Sequence, residues 1–117
     1  MLSDNQRIFA RNVGIFIDHV YQSGYSMTLG EVWRSPEQAE IYAKEGKGIK
    51  DSLHCKRLAL DFNLFSPQGC YVTDITDYAK FGEFWCKLNA KNRYGGNFHD
   101  SHGNPKPDSD HIEMQDI

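Results

Sequence analysis

The sequence has few cysteines and no basic stripe, and both absences exclude classes of protein. Its three cysteines, Cys55, Cys70 and Cys86, are widely spaced and form no Cys-x-x-Cys pair. They therefore predict neither a disulfide framework nor a cysteine zinc site, and they favour a reducing compartment. The net charge is -3 at pH 7, and Lys and Arg are scattered along the chain. Nucleic acid is therefore not an expected partner.

Long apolar runs are also lacking. No window approaches the apolar length that spans a bilayer, and the first residues, MLSDNQRIFARNVG, contain no apolar segment followed by a cleavage site. We therefore expect no signal peptide and no membrane insertion. What is present is a globular composition over 117 residues, with 39% hydrophobic and 13% aromatic residues. These values predict one folded domain over residues 1–117, which we expect to be monomeric.

Three segments carry apolar residues at helical spacing and predict helices. They cover residues 4–23, 36–46 and 75–90. Ser3 or Asp4 is the expected cap of the first helix, which Gly24 closes, and Ser35 is the expected cap of the second.

Three further segments predict strands, over residues 25–33, 58–65 and 111–115. In the second, the leucines and Phe62 share one face, which leaves Asp61 on the other. Aspartate is a poor strand former, so its presence there needs a reason. On the last strand His111 and Glu113 share a face. Residues 47–52 and 92–110 predict loops, the second long enough to suggest a functional role.

The pattern predicts an α+β fold in which two or three helices pack on a small antiparallel sheet. Antiparallel neighbours would bring His54, Asp61 and His111 together on its polar face. Two imidazoles and one carboxylate are the ligands of a catalytic zinc site, because they leave a fourth position open for water. A metal-free interaction domain, in which His54 and Asp61 only form hydrogen bonds, is the alternative that the residue types leave open.

Four blocks of the sequence resemble a family of zinc peptidases, the D-alanyl-D-alanine carboxypeptidases and L-alanyl-D-glutamate endopeptidases. SLHCKRLALD resembles the family's Ser-x-His-x6-Asp pattern, and DSDH resembles its Asp-x-x-His pattern. EVWRSPEQAEIYAKEGKG is similar to a block in which an aromatic-Arg-Ser strand end precedes a helix containing Gln, and YGGNF resembles the Gly-Gly-x-Phe that often precedes the last ligand. The blocks cover most of the chain from Glu31 to Glu113, and short phage endolysins are the most similar members.

The resemblance implies a role for each matching residue. It implies that one zinc ion per chain is held by His54, Asp61 and His111. Asp108 would be the general base that takes a proton from the attacking water, and Arg34 would face the oxyanion or a substrate carboxylate. Ser52 would hold the substrate backbone or a neighbouring ligand.

The function that the resemblance implies is zinc-dependent hydrolysis of peptidoglycan stem peptides, with the L-alanyl-D-glutamate bond as the expected target. A D-alanyl-D-alanine carboxypeptidase or dipeptidase is one alternative. A non-catalytic zinc-binding module is another, because sonic hedgehog shares the fold and the metal, although Asp108 favours an enzyme. As a phage or prophage endolysin, the protein would be made in the host cytoplasm and act on the wall in the periplasm after release.

Some residues depart from the family pattern or have ordinary interpretations. Arg57 stands where many members have Gly, and His99, Asp100 and His102 are rival ligands in a loop longer than expected. Glu113 either orients His111 or is a solvated edge charge. The ordinary interpretations place Trp33 and Trp85 in the core, His19 on the first helix surface, and Cys55 as a structural thiol.

Overall fold

The protein has an α+β fold with a four-stranded antiparallel sheet and three helices, as the sequence predicts. The computed structural model describes residues 1–46 and 52–117, so the loop predicted over 47–52 lies outside the described residues except for Ser52. The helices are α1 (Leu2–Gln22), α2 (Pro36–Lys44) and α3 (Ile75–Leu88). The strands are β1 (Ser26–Leu29), β2 (Ala59–Phe65), β3 (Asn92–Tyr94) and β4 (His111–Met114). Short 3-10 helices cover Leu53–Lys56 and Gly95–Asn97.

The sheet has the order β1-β2-β4-β3, with every neighbouring pair antiparallel. Along β2 the predicted alternation is confirmed, because Leu60, Phe62 and Leu64 are buried in the core while Asp61 lies half-buried on the opposite face. In the pairing of β2 with β4, Asp61 stands directly opposite His111. The sheet register therefore joins two residues that are far apart in sequence.

Helices α1 and α3 supply aromatic side chains to the apolar face of the sheet. The Phe16 ring packs edge-on against Phe62 and Trp85, with centroids 5.1 Å and 5.8 Å apart. The Trp85 indole N–H donates to the carbonyl of Glu113 at 3.0 Å, so the prediction that Trp85 is a core residue is confirmed. Full burial of side chains of this size contributes roughly 1.5–3 kcal/mol each.

Trp33 is not in the core, and that prediction is wrong. Its side chain is 46% exposed, and the Arg57 guanidinium lies 5.0 Å from its ring centre. The reason is that β1 ends at Leu29, earlier than predicted, and the following segment leaves the apolar face. Two hydrogen bonds still hold this segment to β2, from Gly30 N to Asp61 O at 2.7 Å and from Asp61 N to Glu31 O at 3.0 Å.

The predicted helix ends are partly correct. Ser35 caps α2 as predicted, and its hydroxyl accepts a hydrogen bond from Gln38 N at 3.0 Å. Helix α1 begins two residues earlier than expected, with Met1 at the cap position and no side-chain cap, so the assignment of Ser3 or Asp4 as cap is wrong. Asp4 lies in the first turn instead, where its charge interacts favourably with the helix dipole.

The segment predicted as one long loop over residues 92–110 contains regular structure. It begins with the edge strand β3, continues into the 3-10 helix Gly95–Asn97, and includes an isolated pairing of His99 with Pro105. The sequence pattern missed β3 because three residues are too few to show alternation. None of the helices in the described part of the chain is long and apolar enough to cross a membrane.

Candidate metal centre

The first candidate ligand, His54, is carried by a single turn of 3-10 helix. Ser52 caps this turn, and its hydroxyl accepts a hydrogen bond from His54 N at 3.2 Å. Arg57 closes the turn in the left-handed conformation, with φ of 56°, where a glycine is usually favoured. His54 is only 3% exposed. The turn therefore holds the imidazole inside the protein, next to the polar face of β2.

Asp61 lies between the two histidines. Its Oδ1 atom is 2.9 Å from Nδ1 of His111 and 3.4 Å from Nε2 of His54. The two imidazole rings are 5.0 Å apart between centroids. The structure thus brings together the three residues that the sequence predicts as ligands, each from a different element.

The three side chains form a group that could hold a metal ion. One ligand atom from each of His54, Asp61 and His111 lies within 4.8 Å of the others. Zinc bonds of about 2.0–2.2 Å at tetrahedral angles place their donor atoms roughly 3.4 Å apart, and the Asp61 to His54 separation is 3.4 Å. Small movements of buried side chains would therefore suffice to form the site.

Asp61 and His111 have shifted pKa values. Burial alone would raise the pKa of Asp61, but the hydrogen bonds and charges of His111 and His54 hold it well below its usual range. Burial alone would lower the pKa of His111, but hydrogen bonds to Asp61 and Glu113 raise it to about 9. The two histidines therefore stabilise the negative charge that Asp61 carries on the strand.

Asp108 reaches the same site from the turn that precedes β4. His111 N donates to Asp108 O at 3.1 Å, so the turn places Asp108 beside the last predicted ligand. Asp108 Oδ2 is 3.9 Å from His111 Nδ1, and its side chain is 55% exposed. The Asp108 carboxylate is therefore open to solvent and close to a predicted ligand.

Asp110 forms a second acidic group with Asp61 and Asp108, whose carboxylate oxygens lie within 4.8 Å of one another. Burial, together with the hydrogen bond and charge of Asp108, raises the pKa of Asp110 to about 6. The Asp110 carbonyl accepts a hydrogen bond from Phe62 N at 2.8 Å, which ties the turn to β2.

Gly95 and Tyr94 contact the turn that carries Asp108 and leads to His111. A Cβ atom at Gly95 would lie 2.9 Å from His111 Cβ and closer still to the carbonyl oxygen of Asp108, so only glycine allows this approach. The Tyr94 hydroxyl donates to Ser109 O at 2.8 Å. The Tyr94 ring in turn packs on Gly82 of α3, where a side chain would collide with it. The YGGNF block therefore has a packing role.

Arg34 lies near the site but is already engaged. Its Nη2 atom is 2.5 Å from Glu31 Oε1, and its guanidinium lies 4.9 Å from the centre of the Tyr42 ring. Among the residues that the structure describes, the Nε atom of Arg34 has no hydrogen-bond partner although it is buried. The ion pair with Glu31 therefore leaves the Nε–H of Arg34 unused.

The rival ligands are not brought to the site. Within residues 1–46 and 52–117, neither group of clustered metal-binding side chains includes His99, His102 or Cys55. The Asp100 carboxylate is used in its own turn, where it accepts hydrogen bonds from His102 N and Asn104 N at 2.9 Å and 3.0 Å. The ring of His19 stacks on Phe84, with centroids 3.7 Å apart, and is not part of either group.

The sequence analysis did not predict that Glu31 and Arg93 lie near the histidines, and it left two interpretations of Glu113 open. Glu113 is buried and its Oε1 lies 2.7 Å from Nε2 of His111, so it is not a solvated edge charge. Arg93 on the missed strand β3 pairs with Glu113, and Glu31 lies beside His54. The Glu31-x-x-Arg34 spacing is the only signal in the sequence that points to Glu31.

Comparison of the sequence with protein-family models and with curated proteins gives no match. Comparison of the structure does: the fold is similar to that of an L-Ala D-Glu endopeptidase from Serratia marcescens, ChiX. The TM-score is 0.68 and the sequence identity 16%, over 97% of this chain and 85% of that chain. This likeness shows a shared fold over nearly the whole chain.

Proposed function

We propose that this protein is a zinc-dependent peptidase that hydrolyses the L-alanyl-D-glutamate bond of peptidoglycan stem peptides. The observation that carries the proposal is the convergence of His54, Asp61 and His111 from three separate elements, with Asp108 beside them. The resemblance of four sequence blocks to zinc peptidases supports the reaction class. The fold shared with an L-Ala D-Glu endopeptidase supports the choice of bond.

In this proposal His54 Nε2, Asp61 Oδ1 and His111 Nδ1 hold one zinc ion. Zinc supplies Lewis acidity, which polarises a substrate carbonyl and lowers the pKa of water to about 7. The burial of both histidines keeps bulk water away from these nitrogens. Asp61 keeps its negative charge at neutral pH because its pKa is held low, so it is available as a ligand.

Asp108 is the proposed general base. Its carboxylate accepts a proton from the attacking water and returns it to the departing amine of D-glutamate, so the peptide bond is cleaved with no net proton change. The exposure of Asp108 supports this role, because the carboxylate must be reached by water and by substrate. Asp110 is more buried and its carbonyl is tied to β2, which favours a supporting role.

Arg34 and Ser52 have narrower proposed roles. The Arg34 guanidinium faces the oxyanion or a substrate carboxylate, while Glu31 holds one of its terminal nitrogens. Ser52 is 6% exposed and its hydroxyl already accepts from His54 N. Of the two roles implied for Ser52, holding a neighbouring ligand is therefore favoured over binding the substrate backbone.

The biological setting that we propose is that of a phage or prophage endolysin. Cleavage of the internal bond breaks existing crosslinks, whereas trimming a terminal D-alanine does not. The protein would be made in the host cytoplasm and would act as a monomer on the wall in the periplasm after release.

Elemental analysis of protein purified without chelator tests the metal. We expect one zinc per chain in the wild type and loss of zinc in His54→Ala and His111→Ala. His102→Ala is the matched control, because His102 is exposed and outside the ligand group. Zinc retained in the first two variants and lost in His102→Ala would show that the ligands are assigned wrongly.

Digestion of purified peptidoglycan tests the base. Asp108→Ala should keep zinc and the fold but lose a factor of ~10²–10⁴ in rate, as is typical when a general base is removed. Asp110→Ala is the comparison variant, for which we expect a loss of less than ~10-fold. If Asp110→Ala abolishes turnover and Asp108→Ala does not, the base lies two residues further along the chain.

A further inference from the structure

The nitrogen of His111 that faces away from Asp61 is held by a glutamate. Glu113 Oε1 lies 2.7 Å from His111 Nε2, and both side chains are 8% exposed. The other carboxylate oxygen of Glu113 contacts the guanidinium of Arg93. Arg93 stands directly opposite Glu113 in the pairing of β3 with β4. The sheet therefore builds a chain of contacts from Arg93 through Glu113 to His111.

His54 has a matching arrangement on the other side of the site. Its Nδ1 atom lies 3.6 Å from Glu31 Oε1, and Arg34 Nη2 lies 2.5 Å from the same oxygen. In the described part of the chain, His54 Nδ1 is buried without a hydrogen-bond partner, and the buried Glu31 Oε1 has its ion pair with Arg34 but forms no hydrogen bond. Buried polar atoms are rarely left unpaired, and these two face each other just beyond hydrogen-bond length.

The backbone keeps this second arrangement in place. Arg34 N donates to His54 O at 3.3 Å, and Asp61 N donates to Glu31 O at 3.0 Å. The segment that leaves β1 is thus tied to two of the three predicted ligands. A short closure of the gap between Glu31 and His54 would complete the hydrogen bond without moving the main chain.

We propose that Glu31 and Glu113 are positioning residues, each held by an arginine, which fix the ring nitrogen that each histidine presents to zinc. The nitrogens are different: Nε2 for His54 and Nδ1 for His111. A neutral imidazole has one N–H and one bare nitrogen, so a carboxylate that accepts from the N–H leaves the other nitrogen available as a ligand. The inference deepens the proposed function and rests on its metal centre.

The two arginines also keep the glutamates from binding the zinc ion themselves. A glutamate this close to a metal ligand is itself a candidate ligand, and an arginine beside it competes for its oxygens. Arg34 pairs with Glu31 and Arg93 pairs with Glu113, so both carboxylates are held against the histidines and away from the ion. The ion therefore meets two imidazoles and one carboxylate rather than a larger acidic set.

The test uses the full chain with each glutamate changed to alanine and to glutamine. Glutamine keeps an acceptor oxygen for the imidazole N–H, whereas alanine removes it. Glu40→Ala is the matched control, because Glu40 is exposed on α2 and pairs with Lys44 of the same helix. The readouts are the zinc dissociation constant, from competition with a chelator, and the nitrogen-15 spectrum of the histidine rings in zinc-loaded protein.

We expect Glu31→Ala and Glu113→Ala to bind zinc ~10–100-fold more weakly than Glu40→Ala, the typical effect of losing such a partner. Glutamine at either position should recover most of that loss. The wild-type spectrum should show zinc on Nε2 of His54 and Nδ1 of His111, with protons on the opposite nitrogens. If Glu113→Ala does not fold, Glu113→Gln and both Glu31 variants still decide the matter.

Unchanged zinc affinity in the alanine variants, or zinc on the opposite ring nitrogens, would overturn the inference. Hydrolysis is a separate readout. A protein that binds zinc in this pattern but cuts no peptidoglycan would refute the proposed function and leave the inference standing. If the protein cuts peptidoglycan but the Glu31 and Glu113 variants bind zinc as tightly as the wild type, the inference is refuted and the proposed function stands. A wild type that binds no zinc would overturn both.

Discussion

Alanine at position 95 would place a methyl group inside the turn that carries Asp108 and His111. A Cβ atom there would lie 2.9 Å from His111 Cβ, 3.0 Å from His111 O and closer still to Asp108 O. Ordinary contacts begin at about 3.4 Å, so the turn must move by roughly 1 Å. The clash is with backbone, which a rotamer change cannot relieve. Gly95→Ala therefore moves the proposed base and one proposed ligand together.

The expected cost has two parts. Overpacking of this kind typically costs about 1–3 kcal/mol in the free energy of unfolding. A misplacement of about 1 Å at a reacting group typically costs ~10²-fold in rate. We therefore expect kcat/KM on stem peptides to fall by ~10²-fold or more while the protein remains folded at 25 °C.

The control is Gly14→Ala, because a Cβ atom at this exposed position of α1 would meet nothing within 4 Å. It should stabilise the helix by about 0.5–1 kcal/mol and leave the rate unchanged. Thermal unfolding and steady-state kinetics on both variants make the comparison. A Gly95→Ala protein with wild-type rate and stability would refute the packing argument.

Two further predictions concern charge. In metal-free protein kept in chelator, the raised pKa of His111, about 9 against an ordinary 6.5, contributes stability that is present below pH 6.5 and lost as pH rises through 9. The lowered pKa values of Asp61 and Glu113 contribute stability that is lost as pH falls below their ordinary values of 3.8 and 4.5. Thermal unfolding midpoints should therefore fall as pH rises from 7 to 9, and a midpoint that rises over this range would contradict this. Arg34→Lys keeps the charge but loses the Nε–H and the planar fork, so kcat should fall; a near-wild-type rate would exclude a role for that fork.

The face of β2 on which Asp61 lies was predictable because its signal is local. Alternation along β2 shows that Asp61 points away from the leucine face, and the structure confirms it. The amphipathic spacing of α1 and α3 likewise reports which faces they bury. The resemblance to zinc peptidases supplied the order of the blocks, which spacing alone does not give.

The positions of Glu31 and Arg93 near the histidines were not predictable, because they depend on contacts between residues that are distant in sequence. Arg93 lies on a strand of three residues, whose pairing with β4 leaves no periodic trace. Glu31 reaches His54 only because the chain leaves the sheet after Leu29. Trp33 was misplaced for the same reason, since a hydrophobic residue near a strand end carries no mark of where the strand stops.

Mass spectrometry of the fragments released from purified peptidoglycan tests the central claim most directly. With zinc-loaded protein we expect fragments with a new N-terminal D-glutamate, and none with Asp108→Ala or with chelated protein. Release of free D-alanine alone would contradict the choice of bond and indicate a carboxypeptidase. Intact peptidoglycan after incubation with a protein that holds one zinc per chain would contradict catalysis itself and indicate a zinc-binding module.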